Sequence, residues 1–103
     1  MQVVKVIPWI GPEAPTELVI RRLLDVENMT YYKWSNDPLD TYSAHAHPFN
    51  KVIYVVSGAI TFGLPKEGRK ITLKAGDRLE LPSGTLHDAV VSNLGVECLE
   101  AHL

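Results

Sequence analysis

The chain has 103 residues, 46% of them hydrophobic and 21% charged, which is one domain of ordinary globular composition and excludes a disordered chain. Ten Lys and Arg against twelve Asp and Glu leave a net charge of −2. No basic field is available for a phosphate backbone, so nucleic acid is not an expected partner. The single cysteine, Cys98, cannot close an internal disulfide, which favours a reducing compartment. Apolar runs are only a few residues long, and the N-terminal segment lacks the basic-then-apolar pattern of a signal peptide. The expectation is a single cytoplasmic domain over residues 1–103, with no membrane partner.

In chain order, Gln2 to Ile7 reads as a β-branched strand stopped by Pro8. Thr16 is a good N-cap, and Glu17 follows in the first turn, where the helix dipole favours a carboxylate. Val19, Ile20, Leu23 and Leu24 recur at helical spacing, which predicts one amphipathic helix over Thr16–Glu27. From Met29 onward the apolar period is two. It predicts strands at Thr30–Ser35, Thr41–His47, Lys51–Val56, Ala59–Leu64, Lys70–Leu73, Arg78–Leu81, His87–Val91 and Val96–His102. Turn-forming residues divide them, among them Asn36-Asp37-Pro38, Ser57-Gly58, Ala75-Gly76-Asp77, Pro82-Ser83-Gly84 and Asn93-Leu94-Gly95. Many short strands at this spacing predict an all-β jelly-roll barrel preceded by one short helix.

His45 and His47 flank Ala46, so on a strand both imidazoles lie on one face, as two nitrogen donors for one ion require. His87 follows a Pro-Ser-Gly turn at the start of another strand. Three imidazoles converging at a barrel mouth would suit zinc, nickel, iron, manganese or copper. The plainer alternative is a set of surface or pocket histidines that bind nothing.

The stretch from His45-Ala46-His47 through Lys51 to Gly58 resembles the first motif of the cupin superfamily. The stretch from Gly76 through Pro82 and Gly84 to His87 resembles the second, written G-x5-P-x-G-x2-H. The trailing asparagine of that motif would fall at Val91, and Asn93 is two residues late. The resemblance implies the cupin double-stranded β-helix, with His45, His47 and His87 as ligands of a divalent transition metal. It also implies a homodimer paired through the N-terminal strand, where Val3, Val4, Val6 and Ile7 are more apolar than a free edge should be.

Lys51 departs from the pattern, because it stands where the family carries a glutamate ligand. An ammonium has donors only and repels a cation. Three outcomes follow: Lys51 turns aside and the histidines keep the ion with water, the site binds metal weakly, or it binds none. Asn50 could serve as the oxygen ligand only if the strand slipped by one residue, against its alternation.

Alternation from Lys51 places Ile53 and Val55 on the ligand face, as pocket wall or core. Trp34, Tyr42 and Tyr54 are candidates for lining a pocket or for packing. His102 shares its parity with Cys98 and Glu100 on the last strand and faces either the pocket or solvent. Glu80 is expected to point outward with Arg78. Two functions fit. One is a three-histidine, metal-dependent oxygenase or isomerase-like enzyme acting on a small molecule. The other is a non-catalytic binding or sensing barrel, with or without metal. No general base is evident beside the histidines, and the residues do not name the substrate.

Overall fold

Apolar spacing and a capping side chain coincide at one place, and there the helix forms. Helix α1 spans Glu17–Val26, with the Thr16 hydroxyl accepting from the Val19 amide. Seven strands follow the same chain order as the expected ones: β1 (Lys5–Ile7), β2 (Tyr31–Asn36), β3 (Thr41–His45), β4 (Lys51–Leu64), β5 (Arg69–Lys74), β6 (Arg78–Leu81) and β7 (His87–His102). This is a computed structural model, and it describes residues 1–103. No helix is long and apolar enough to cross a membrane.

Every strand pairing is antiparallel, in the order β1-β6-β4-β7-β2, with β3 added on β7 and β5 on β4. The two long strands do the closing. The first half of β4 pairs with β6 and its second half with β5, while β7 runs along nearly its whole length. In the same way β7 pairs with β3 near its start and β2 near its end. Each long strand thus crosses from one wall to another, which makes a jelly-roll barrel.

Two of the expected turns are therefore not turns. Ser57-Gly58 is a bulge inside β4, where the register shifts between Val55 and Ser57 and again between Gly58 and Ile60. Gly95 likewise lies inside β7. Both glycines have positive φ, 74° and 75°, so each bends its strand sharply without ending it. The segments expected as four short strands are two long bent ones. The third expected strand is also shorter than its alternation predicts, ending at His45 and leaving His47 in the following loop.

The sheet is covered on both faces, and parity decides which face a side chain joins. Ile53, Val55, Leu79, Leu81, Val91 and Cys98 belong to the inner core of the barrel, with Val4 and Val6 of the N-terminal segment packed on it. Val52, Tyr54, Leu99 and Ala101 point to the other face, where Ile20 and Leu24 of α1 cover them. Arg78 is outward from the barrel as expected, but it is not in solvent. Its guanidinium is buried under the helix end, bonded to Glu27, Glu80 and the Tyr54 hydroxyl.

Candidate metal centre

His45, the last residue of β3, sits directly opposite His87, the first of β7, and their ring centroids are 4.4 Å apart. His47 joins them from the loop after β3, its ring 4.7 Å from His45 and 5.3 Å from His87. The loop is held in place by the Gly84 amide, which donates to the His47 carbonyl at 2.8 Å. The turn before one histidine thus fixes the loop that carries another. One ring nitrogen from each of the three lies within 4.8 Å of the others.

The donor chemistry of these rings fits a metal ion. The Nδ1–H of His45 donates to the Ser43 carbonyl at 2.6 Å, and that of His87 to the Thr85 carbonyl at 2.8 Å. Each bond fixes the tautomer, leaving Nε2 with a free lone pair, the same arrangement that orients metal-bound histidines. The Nε2 of His47 is buried with no hydrogen-bond partner, an expensive state for a polar atom. Burial is the main cause that pushes His47 and His87 below the ordinary histidine value of 6.5, with Lys51 and His45 adding to it. At His87 the bond to Thr85 works the other way but does not prevail. Neutral imidazole is the form that ligates.

Lys51 opens β4 and lines the same cavity as the three histidines. Its ammonium pairs with Glu100 at 3.4 Å. Glu100 is 3% exposed and directly opposite Ile53 in register. Its Oε1 accepts from the Trp34 indole at 3.1 Å, and its Oε2 accepts from the Tyr32 hydroxyl at 2.7 Å and from His102 Nε2. Burial by itself would raise the Glu100 pKa. The donors Tyr32 and His102, with the charge of Lys51, more than offset it and hold the carboxyl below its ordinary value.

The cavity measures about 310 Å³. Of the residues expected near it, Trp34, Tyr42, Lys51 and Ile53 line it together with the three histidines. Three others do not. Val55 packs in the inner core, and Tyr54 lies on the opposite face beneath α1. His102 stays at the rim with its side chain 39% exposed, stacked on Phe49 at 4.1 Å, while Phe49 in turn stacks on His47 at 5.2 Å. Sequence reasoning did not single out Glu100 as the polar partner of Lys51, nor Phe49, Ile60 and Phe62 as part of the surroundings of the site. The parity of Glu100 with His102 was the available signal, and it needed the register of β7 against β4 to be read.

A small jelly-roll barrel with three histidines gathered at one cavity is the class that this fold and site define. The cupin-domain family model matches residues 36–100, and the chain belongs to the cupin family. Solved structures agree on the fold. An RmlC-like cupin from Shewanella frigidimarina is 27% identical over 72% of this chain and 64% of its own, with a TM-score of 0.62. The polyketide cyclase RemF from Streptomyces resistomycificus is 24% identical over 72% of this chain, with a TM-score of 0.64. The match spans only 54% of that enzyme. A cupin superfamily protein from Desulfitobacterium hafniense is 13% identical but covers 99% of this chain and 78% of its own, with a TM-score of 0.64. Among curated proteins, no sequence matches the chain significantly.

Proposed function

We propose that the chain is a metal-binding cupin that acts on a small molecule, its ion held by His45, His47 and His87. The observation that carries this reading is the orphaned, buried Nε2 of His47 beside two imidazoles whose Nδ1–H groups are already committed to backbone carbonyls. A divalent transition ion there would supply Lewis acidity or a redox couple. The chain's own residues would orient the molecule in the cavity through its polar lining and the apolar side chains of Ile53, Ile60 and Phe62. An oxygenase or isomerase-like activity is the enzymatic form of this reading.

One observation favours a second form, a barrel that binds without turnover. The Glu100 oxygens already accept from Trp34, Tyr32 and His102, which leaves no free carboxylate to act as general base. Elemental analysis of protein purified without an affinity tag, followed by zinc titration of wild type and His87→Ala, tests the metal. Stoichiometric metal lost in the variant is the expected result. Wild type that binds zinc no better than the variant overturns the reading, and iron or manganese in the native protein selects oxygen chemistry over simple binding.

The same proposal includes a homodimer in a reducing, cytoplasmic setting. Val4 and Val6 are used inside the chain, but Val3 and Ile7 beside them are 60% and 44% exposed, which supports pairing with a second copy. The lone, buried Cys98 supports the compartment. Light scattering that gives a monomer mass at micromolar concentration overturns the dimer.

A further inference from the structure

Among the residues lining the cavity, Lys51 is the one Lys or Arg. Its side chain is 12% exposed, so its ammonium is largely withdrawn from water. An ammonium carries three donors, yet its one ionic partner in the chain is Glu100 at 3.4 Å, and the Phe49 ring lies 6.0 Å away. Glu100, by contrast, is well supplied, bonded to Trp34 and Tyr32 of β2 and to His102. The carboxylate is tied to one wall of the cavity, and the ammonium keeps donor capacity toward its interior. Ile53, the cross-strand neighbour of Glu100, lines the same cavity together with Ile60 and Phe62 and makes part of its wall apolar. Buried donors of a cation are best satisfied by an anion, and an apolar wall beside them selects one with a hydrocarbon body.

We propose that Lys51 makes this cavity a receptor for a small carboxylate with an aromatic or branched apolar body. The carboxylate oxygen lies on Lys51 Nζ and the hydrocarbon on Ile53, Ile60 and Phe62. The proposal rests on the cavity beside the histidines being the functional one, but not on a metal being present.

The test compares benzoate with benzamide, its neutral analogue of the same shape, by amide NMR titration of the full chain. Wild type, Lys51→Met and Lys51→Arg are each titrated metal-free and zinc-loaded. Metal-free wild type is expected to bind benzoate in preference to benzamide, with shifts around Lys51, Ile53 and Phe62. Lys51→Met should lose about tenfold or more of the benzoate affinity, the scale of one hydrogen bond to a charged group, and Lys51→Arg should retain most of it. Equal binding of the two probes to wild type, no binding of benzoate, or no loss in Lys51→Met overturns the proposal. Benzoate that binds only in the zinc-loaded form, equally well in Lys51→Met, belongs to the metal alone and also overturns it. Should Lys51→Met lose the dispersed spectrum of a folded chain, the wild-type preference and its retention in Lys51→Arg decide. Zinc titration of the same proteins without benzoate reads the metal separately. A chain that takes zinc but not benzoate loses this proposal and keeps the metal, and one that takes benzoate but not zinc does the reverse.

Discussion

Gly58 of β4 and Gly95 of β7 meet back to back, so closely that a Cβ on Gly58 would lie 2.0 Å from the Gly95 carbonyl oxygen. Both have positive φ, and both stand where a long strand bends. Gly58→Ala therefore meets two penalties, a left-handed backbone and a clash with backbone that has no side-chain freedom to yield. The expected loss is about 2 kcal/mol or more. Urea denaturation of the variant measures it, and a midpoint equal to wild type would show that the bend can relax.

Lys51→Glu should raise affinity for divalent metal. The variant removes a positive charge from the histidine cavity and adds a carboxylate oxygen at the start of β4. At about 4 Å, each unit of charge product is worth roughly 4 kcal/mol at an effective dielectric near 20, so reversing the sign of the charge beside a divalent ion is a large favourable change. Without metal, the new carboxylate faces Glu100 across the former ion pair, so the metal-free variant should be less stable than wild type. Zinc titration and thermal melting with and without zinc read the two effects. Unchanged zinc affinity would show that position 51 does not reach the ion.

Acid should destabilise the metal-free protein in two stages. His47 and His87 have folded pKa values below the ordinary 6.5, so as pH falls below 6.5 the unfolded chain takes up protons first and stability declines. Glu100 has a folded pKa below the ordinary 4.5. Its contribution is present above 4.5 and is lost as pH falls through the folded value. Both stages lower stability toward acid. Glu17 and Glu97 are lowered as well, by their hydrogen-bond partners at the surface, Lys33 among them, so denaturation midpoints across this range should show that Glu100→Gln weakens the lower stage and leaves the upper. A variant whose lower stage is undiminished would place that stage in the other carboxyls.

Leu24→Ala separates fold from site. Leu24 is fully buried between α1 and the outer face of the sheet, and truncating such a leucine costs about 2–5 kcal/mol. The histidines lie on the other side of the sheet, in the cavity. Zinc affinity of the folded variant should equal that of wild type while its denaturation midpoint falls.

The helix, most of the strand positions and the three histidines were legible in the sequence because local chemistry determines each of them. Thr16 caps the helix, apolar residues alternate, and a Pro-Ser-Gly turn precedes His87. What escaped depends on partners distant in the chain. Ser57-Gly58 and Asn93-Leu94-Gly95 have the composition of turns, and only the long β4–β7 pairing makes them bends within continuous strands. Tyr54 was misplaced because alternation gives two faces but not which one α1 will cover. Glu100 could be assigned to Lys51 only once the β4–β7 register was known, with Lys51 opposite His102 and Ile53 opposite Glu100.

The indole of Trp34 gives the cavity an optical voice. It donates to Glu100 and lines the cavity, whereas the chain's other tryptophan, Trp9, donates to the Glu13 carbonyl and takes no part in the cavity wall. Anything that enters and disturbs the Glu100 carboxylate alters the surroundings of one fluorophore and leaves the other as an internal standard. The chain thus reports on its own occupancy by emission alone, with no label and no knowledge of the reaction, and compounds of any class can be screened against it.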